Sequence, residues 1–193
     1  MVPQDKSKGG VCGKSIYIDT EATFRTERIA MIARARGFDL RTILDNILVV
    51  QTEDSEKQER IVGDIDSLLK KTEGFKLLVV DSPVTHYRSE YIGRAMLSTR
   101  QQKVYRFMHR LLTIARTYNI AVVITNHINT TPDSQEMFAR PIGGNVMGHA
   151  VTYGVRLSTH LGGLIHYATI LHSPYHHQKD AVFYIREKGL EDD

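Results

Sequence analysis

Lys76-Leu77-Leu78-Val79-Val80-Asp81, KLLVVD, is a run of aliphatic residues that stops at a carboxylate. A half-buried strand alternates apolar and polar side chains, whereas a continuous apolar run belongs to a strand covered on both faces, as in parallel sheets. Outward from it, AVVITN (121–126) repeats the pattern downstream, and NILVVQT (46–52) and SIYID (15–19) repeat it upstream. Helical spacing fills the gaps. One helix is expected around 25–36, stopping at Gly37, and another over 54–72 with Ile61, Ile65, Leu68 and Leu69 on one face. A third spans about 98–118, its apolar positions 104, 107, 108, 111, 112, 115 and 118 forming a stripe opposite Lys103, Arg106 and Arg110. Short strands follow near 153–158, 166–172 and 181–187. The order β-α-β-α-β-α-β with a β-rich tail predicts an α/β fold, an open and mostly parallel sheet flanked by helices.

The chain of 193 residues is long enough for a single domain with its own core. No stretch approaches the roughly 18 apolar residues of a membrane span, and the first residues lack a signal-peptide core, which argues against a membrane partner. The single cysteine, Cys12, excludes an internal disulfide and suits a reducing, cytoplasmic setting. Net charge is only +3, but between Val84 and Arg116 seven Lys/Arg face one acid, Glu90, so the remainder is net negative. Such a basic segment fits either a polyanion-facing surface or a solvated helix face.

Ligands of open α/β sheets sit at the carboxyl ends of the strands. Three of these ends carry polar groups: Asp19-Thr20-Glu21, Asp81-Ser82 and Thr125-Asn126-His127. A strand-terminal Asp can hold a magnesium ion or its waters, and a carboxylate one strand over, Glu21, can act as general base. The bland alternative is that such an Asp only caps the next helix. Two loops follow these strand ends. Residues 82–102 combine Tyr87, Arg88, Tyr91, Gly93 and Arg94, suited to pairing with phosphates and stacking on bases of a single strand. Residues 128–150 form a long connection that includes Gly143 and Gly144, where loops of this length are usually functional or disordered. By contrast, GGVCGKS (9–15) only mimics a phosphate-binding loop: the spacing G-x4-G-K-[ST] requires glycine at position 8, which is Lys8, and a strand follows rather than precedes it. It reads as a turn into a strand, with residues 1–14 disordered or linker-like and 15–193 forming the folded core.

Taken together, YIDTEATFRTERI (17–29), LLVVDS (77–82), HYRSEYIGRAMLSTRQQK (86–103), YNIAVVITN (118–126), PIGGNVMGHA (141–150) and AVFYIREKG (181–189) carry a resemblance. From about Gly10 to Asp193 the chain resembles the ATPase core of the archaeal RadA recombinases, members of the RecA-like family. The resemblance implies a DNA repair and recombination function: ATP-dependent, Mg2+-requiring filaments on single-stranded DNA that exchange strands with a homologous duplex. It implies that Glu21 activates water, that Arg28 packs on adenine, and that Asp81 is the Walker B acid, holding magnesium through water, with Ser82 beside it. Arg88, Tyr91, Arg94 and Arg100 would belong to the first DNA-binding loop and its flank, residues 128–141 to the second, and Gly143 and Gly144 to its re-entry. His149 would lie near the interface that couples nucleotide to DNA.

The departures from the family matter equally. The family's P-loop strand, its polymerisation motif and its helix-hairpin-helix domain align upstream of residue 1. His127 stands where the family has a phosphate-sensing glutamine, and His172-Ser173-Pro174-Tyr175-His176-His177 replaces its acidic cap over a neighbouring ATP. The family's Gly-Arg-Gly is Gly93-Arg94-Ala95, and Gly154 replaces an arginine. Without a phosphate cradle, this chain alone is expected to bind ATP poorly and not to hydrolyse it. Without the central P-loop strand, unpaired edges and exposed apolar faces are expected, hence marginal stability or association with itself or with full-length recombinase subunits. Two readings stay open, a recombinase core and a non-catalytic paralog that regulates filaments. A zinc site at His172, His176 and His177 is a weaker third, since histidines alone make a poor motif.

Overall fold

The computed structural model describes residues 7, 9–129, 140–141 and 145–192. They fall into two compact units, residues 1–24 with 45–150 and residues 25–44 with 151–193.

The first unit is built on a parallel sheet of four strands, β1 (Lys14–Asp19), β2 (Ile47–Gln51), β3 (Phe75–Asp81) and β4 (Ala121–Ile124), in the order β2-β1-β3-β4. The apolar runs supply it as expected. In β1 and β3, which are flanked on both sides, Ile16, Ile18, Leu78 and Val80 are fully buried. Each such side chain contributes about 1.5–3 kcal/mol by leaving water. The edge strands are less protected: Leu48 of β2 and Val123 of β4 are nearly half exposed. The register pairs Asp19 with Asp81, so those two strands end side by side.

Two helices pack here at the predicted places, α3 (Ser55–Lys71) and α5 (Leu97–Tyr118). On α3 the buried face runs through Gln58, Val62, Ile65 and Leu69. This rotates the expected face, since Ile61 and Leu68 only flank it. The buried side of α5 is Val104, Phe107, Met108, Leu111 and Ile114. The opposite face is not uniformly solvated, as simple periodicity suggested. Lys103 pairs with Glu59 of α3 at 3.6 Å, and Arg110 donates to the Glu59 carbonyl at 2.9 Å. Asp54 caps α3 by accepting from the Lys57 N–H at 2.6 Å, and Asn119 ends α5 in the left-handed conformation at φ 50°.

The segment read as a loop between β3 and α5 contains a short helix, α4 (Thr85–Glu90), and a 3-10 turn, Arg94–Met96. Burial explains the difference. Tyr87 is completely enclosed, its ring 6.1 Å from Phe107 and its hydroxyl donating to Glu59 Oε1 at 3.0 Å. His86 is also buried, with Nε2 at 3.0 Å from both the hydroxyl and the carbonyl oxygen of Thr52. Glu90 closes the turn by accepting the N–H and hydroxyl of Ser55, a second cap for α3. A local pattern of Arg, Tyr and Gly cannot announce such tertiary anchors. After β4 come the two-residue strands β5 (Ile128–Asn129) and β6 (Arg140–Pro141), then α6 (Asn145–Ala150).

The second unit holds α1 (Thr26–Ala35), most of α2 (Leu40–Asp45) and an antiparallel sheet of β7 (Gly154–His160), β8 (Ile165–His172), β9 (Asp180–Arg186) and β10 (Gly189–Glu191), ordered β10-β9-β8-β7. Helix α1 is fastened to the β9–β10 turn. Arg36 donates to the carbonyls of Lys188 at 2.6 Å and Leu190 at 3.2 Å, and a Cβ on Gly189, at φ +99°, would lie 3.6 Å from Ile32 Cδ1. The register places Val155, Leu157, Ile185 and Leu190 on one sheet face, each more than half exposed.

Candidate functional site

The turn at 9–15 is decided by its contacts. The Lys14 N–H donates to the Gly74 carbonyl at 2.7 Å, and its ammonium lies 5.9 Å from the Phe75 ring centre. A Cβ on Gly13 would meet Lys76 Cγ at 2.3 Å, so glycine is required here for close approach rather than for anion binding. This stretch offers no phosphate cradle.

The three strand ends converge in the first unit. Asp19 proves to be the structural carboxylate. Fully buried, it accepts the N–H groups of Phe24 at 3.0 Å, Thr23 at 3.2 Å and Glu21 at 3.3 Å, folding the turn after β1 around itself. Burial pushes its carboxyl up, but these backbone donors outweigh burial and hold it below the usual carboxylate range. Because the folded value lies below the unfolded one, this stabilisation is complete above the ordinary carboxylate range and is lost as pH falls through the folded value. Asp19→Ala is expected to cost about 2–3 kcal/mol at neutral pH by stranding those donors. Urea melts of both proteins check this, and the difference should shrink toward acid pH.

Asp81 is arranged differently. Its Oδ2 accepts the Tyr17 hydroxyl and its Oδ1 the Thr125 hydroxyl, each at 2.5 Å. Burial first, and then donation to Asp81, pushes the Tyr17 phenol far up, so it remains a donor. Each Asp81 oxygen keeps a lone pair, which could accept from a metal-bound water or meet a cation directly. A cation held there would offset charge developing on a phosphate group. Ser82 is buried, with its N–H on Thr20 Oγ1 at 2.8 Å and its hydroxyl 2.9 Å from Thr85 Oγ1.

Glu21 and His127 meet directly. His127 Nε2 lies 3.0 Å from Glu21 Oε1, which also accepts the Thr85 hydroxyl at 2.7 Å. Thr85 first and His127 second hold the Glu21 carboxyl below its usual range, against a smaller effect of burial. Glu21, Asp81, Ser82 and His127 thus share one end of the sheet, and hydrogen bonds through Thr85 join Glu21 to Ser82.

The remaining candidates are more dispersed. Arg88 and Arg94 are exposed beside Ile92, itself 73 % exposed, and Gly93 takes φ +84°. Tyr91 is half-buried under the Lys103 ammonium, 5.4 Å from its ring centre, and Arg100 donates to the Tyr91 carbonyl at 3.3 Å. Tyr87, grouped with the stacking residues in the sequence, belongs to the core. Arg28 lies in the second unit and donates to the Arg186 carbonyl at 2.8 Å. His172 lies 3.4 Å from the Val151 carbonyl, and His176 bonds Ser173 at 2.9 Å. Among the described residues no group of His, Cys, Asp and Glu could hold a metal on its own. Gly143 and Gly144, the His149 side chain and residues 130–139 of the second loop lie outside the described residues.

Tyr17 and Thr85 escaped the sequence reading. Tyr17 had a signal, a polar-tipped aromatic between two buried isoleucines, although the carboxylate it serves, Asp81, ends the neighbouring strand. Thr85 had none, because it acts from a helix that sequence periodicity did not reveal. Among the described residues no helix is long and apolar enough to cross a membrane.

The Rad51 family model matches residues 2–193. A curated relative, the DNA repair and recombination protein RadA of Cenarchaeum symbiosum (strain A), is 42% identical over 191 residues, covering 97% of this chain and 47% of the relative. The chain thus spans about half the length of the relative it matches. With the parallel sheet and the convergence of its strand ends, these matches lead to one assignment: the chain belongs to the Rad51 family.

Proposed function

We propose that this chain supplies the catalytic-carboxylate and DNA-contacting half of a RadA-like recombinase, which acts on single-stranded DNA with Mg2+ and ATP in repair and recombination. The observation that carries the reading is the meeting of Glu21, His127 and Asp81 at one sheet end, beside a segment with exposed arginines. Glu21 is the base that takes a proton from water, Asp81 holds the water shell of magnesium, and His127 fixes the base. Arg88 and Arg94 contact the backbone of the single strand, with Ile92 and Tyr91 offering apolar surface to its bases. Double-stranded DNA is the second substrate in strand exchange, and further recombinase subunits are the protein partners.

Fluorescence anisotropy with labelled single-stranded DNA tests this, with and without ATP and magnesium. Binding should weaken steeply with salt. Replacing both Arg88 and Arg94 by alanine should reduce affinity about tenfold or more and lower the salt slope by about 1.4, two contacts at about 0.7 each. Salt-independent binding, or a double variant that binds like the wild type, would reduce the basic segment to a solvated surface. DNA binding indifferent to ATP and magnesium, yet enhanced by a full-length recombinase, would favour the regulatory paralog.

A further inference from the structure

Glu21 is gripped through one oxygen. Its Oε1 accepts the Thr85 hydroxyl and faces His127 Nε2, whereas among the described residues no hydrogen bond reaches Oε2. Thr85 is itself held. Its Oγ1 lies 2.9 Å from Ser82 Oγ, and a hydroxyl carries one proton. That proton belongs to the stronger acceptor, the ionised carboxylate, so Ser82 donates to Thr85 and Thr85 to Glu21.

The turn that presents Thr85 is pinned from two sides. Thr20 Oγ1 donates to the Ser82 carbonyl at 2.9 Å while accepting the Ser82 N–H, and Gln58 Nε2 donates to the Pro83 carbonyl at 3.0 Å. Those contacts join β1, α3 and the end of β3 behind one hydroxyl. A glutamate in the turn after a strand is otherwise free to rotate, and a base that rotates spends little time aimed at its water.

We propose that Thr85 is a positioning residue: its hydroxyl, backed by Ser82, pins Oε1 of Glu21 and leaves Oε2 as the oxygen that receives the proton. This rests on the reading of Glu21 as the base. Thr85 touches neither nucleotide nor water in this scheme. It acts through Glu21, and it does so from the helix that also buries Tyr87, so the base and the helix core share one rigid support.

The test follows the Glu21 carboxyl 13C resonance during a pH titration of the 193-residue chain, assigned by its disappearance in Glu21→Gln. Thr85→Val keeps the branched shape and removes only the hydroxyl, whereas Thr85→Ser keeps the hydroxyl. The expected result is a midpoint that rises toward the ordinary carboxylate range in Thr85→Val and returns to the wild-type position in Thr85→Ser. An unmoved midpoint in a folded Thr85→Val protein overturns the proposal, as does a Thr85→Ser protein that fails to restore it. Should Thr85→Val not fold, Ser82→Ala removes the backing donor alone. A smaller rise then supports the proposal, and none overturns it. The titration is read without nucleotide, so its outcome is independent of whether Glu21 serves hydrolysis, which a turnover measurement decides.

Discussion

Glu21→Gln is expected to lower DNA-stimulated phosphate release about 100- to 10,000-fold, the range a positioned general base contributes. The measurement uses a fusion in which this chain replaces the matching segment of the RadA relative, because residues 9–15 of this chain give no phosphate grip of their own. Glutamine keeps the shape and can still accept from Thr85 and His127 through its carbonyl oxygen. It cannot take up a proton, so what is lost is basicity rather than architecture. The loss should appear in kcat, with nucleotide affinity and single-strand affinity nearly unchanged. Comparable losses in DNA affinity would instead make Glu21 a structural member of the sheet end. His127 gives an internal comparison: His127→Gln should retain most of the activity, since an amide can donate to Oε1 as the imidazole does. A Glu21→Gln fusion with wild-type turnover would remove the base from the scheme and leave Thr85 only an anchor for a non-catalytic carboxylate.

Tyr87→Ala is expected to destabilise the chain by about 3–5 kcal/mol, the usual cost of emptying a large aromatic site in a core. Against a total of roughly 5–15 kcal/mol for a domain, that is enough to leave a substantial unfolded fraction. Tyr87 is fully enclosed, packs its ring edge against Phe107, lies 6.4 Å from the Tyr91 ring and donates to Glu59. Its removal leaves a cavity between α3, α4 and α5 and deprives Glu59 of a donor. Burial, followed by the Glu59 charge, pushes the phenol well up, so the hydroxyl serves as a donor at neutral pH. Tyr87→Phe separates the two contributions. It keeps the ring and removes only the hydrogen bond, and should cost about 1 kcal/mol or somewhat more, since the acceptor is charged. Chemical denaturation monitored by circular dichroism reads both values. A Tyr87→Ala protein as stable as the wild type would place this ring in solvent and restore it to the DNA-stacking surface.

Much of this fold was legible from hydrophobic pattern alone. Continuous apolar runs ending at 19, 51, 81 and 124 read as strands of a parallel sheet, although only the inner two, β1 and β3, are fully covered, and stripes at helical spacing place α3 and α5 between them. Parallel connectivity then brings Asp19, Asp81 and the Thr125–His127 end to one border, because every strand of such a sheet points the same way. What pattern could not supply is which of those carboxylates does what. Asp19 and Asp81 each end an aliphatic strand in an Asp-Thr or Asp-Ser pair, yet one is held by three backbone N–H groups and the other by the hydroxyls of Tyr17 and Thr125. That difference lies in the turn that follows each strand, and turn geometry depends on contacts far apart in sequence. The same holds for Thr85 and Tyr87. They sit in a six-residue helix too short to show a period, held in place by Thr52, Ser55, Glu59 and Phe107 across the core. Sequence determined the strands and the border where chemistry can occur, because burial acts residue by residue. Only tertiary structure decided which partners hold each side chain at that border, because a hydrogen bond needs a particular partner at a particular distance.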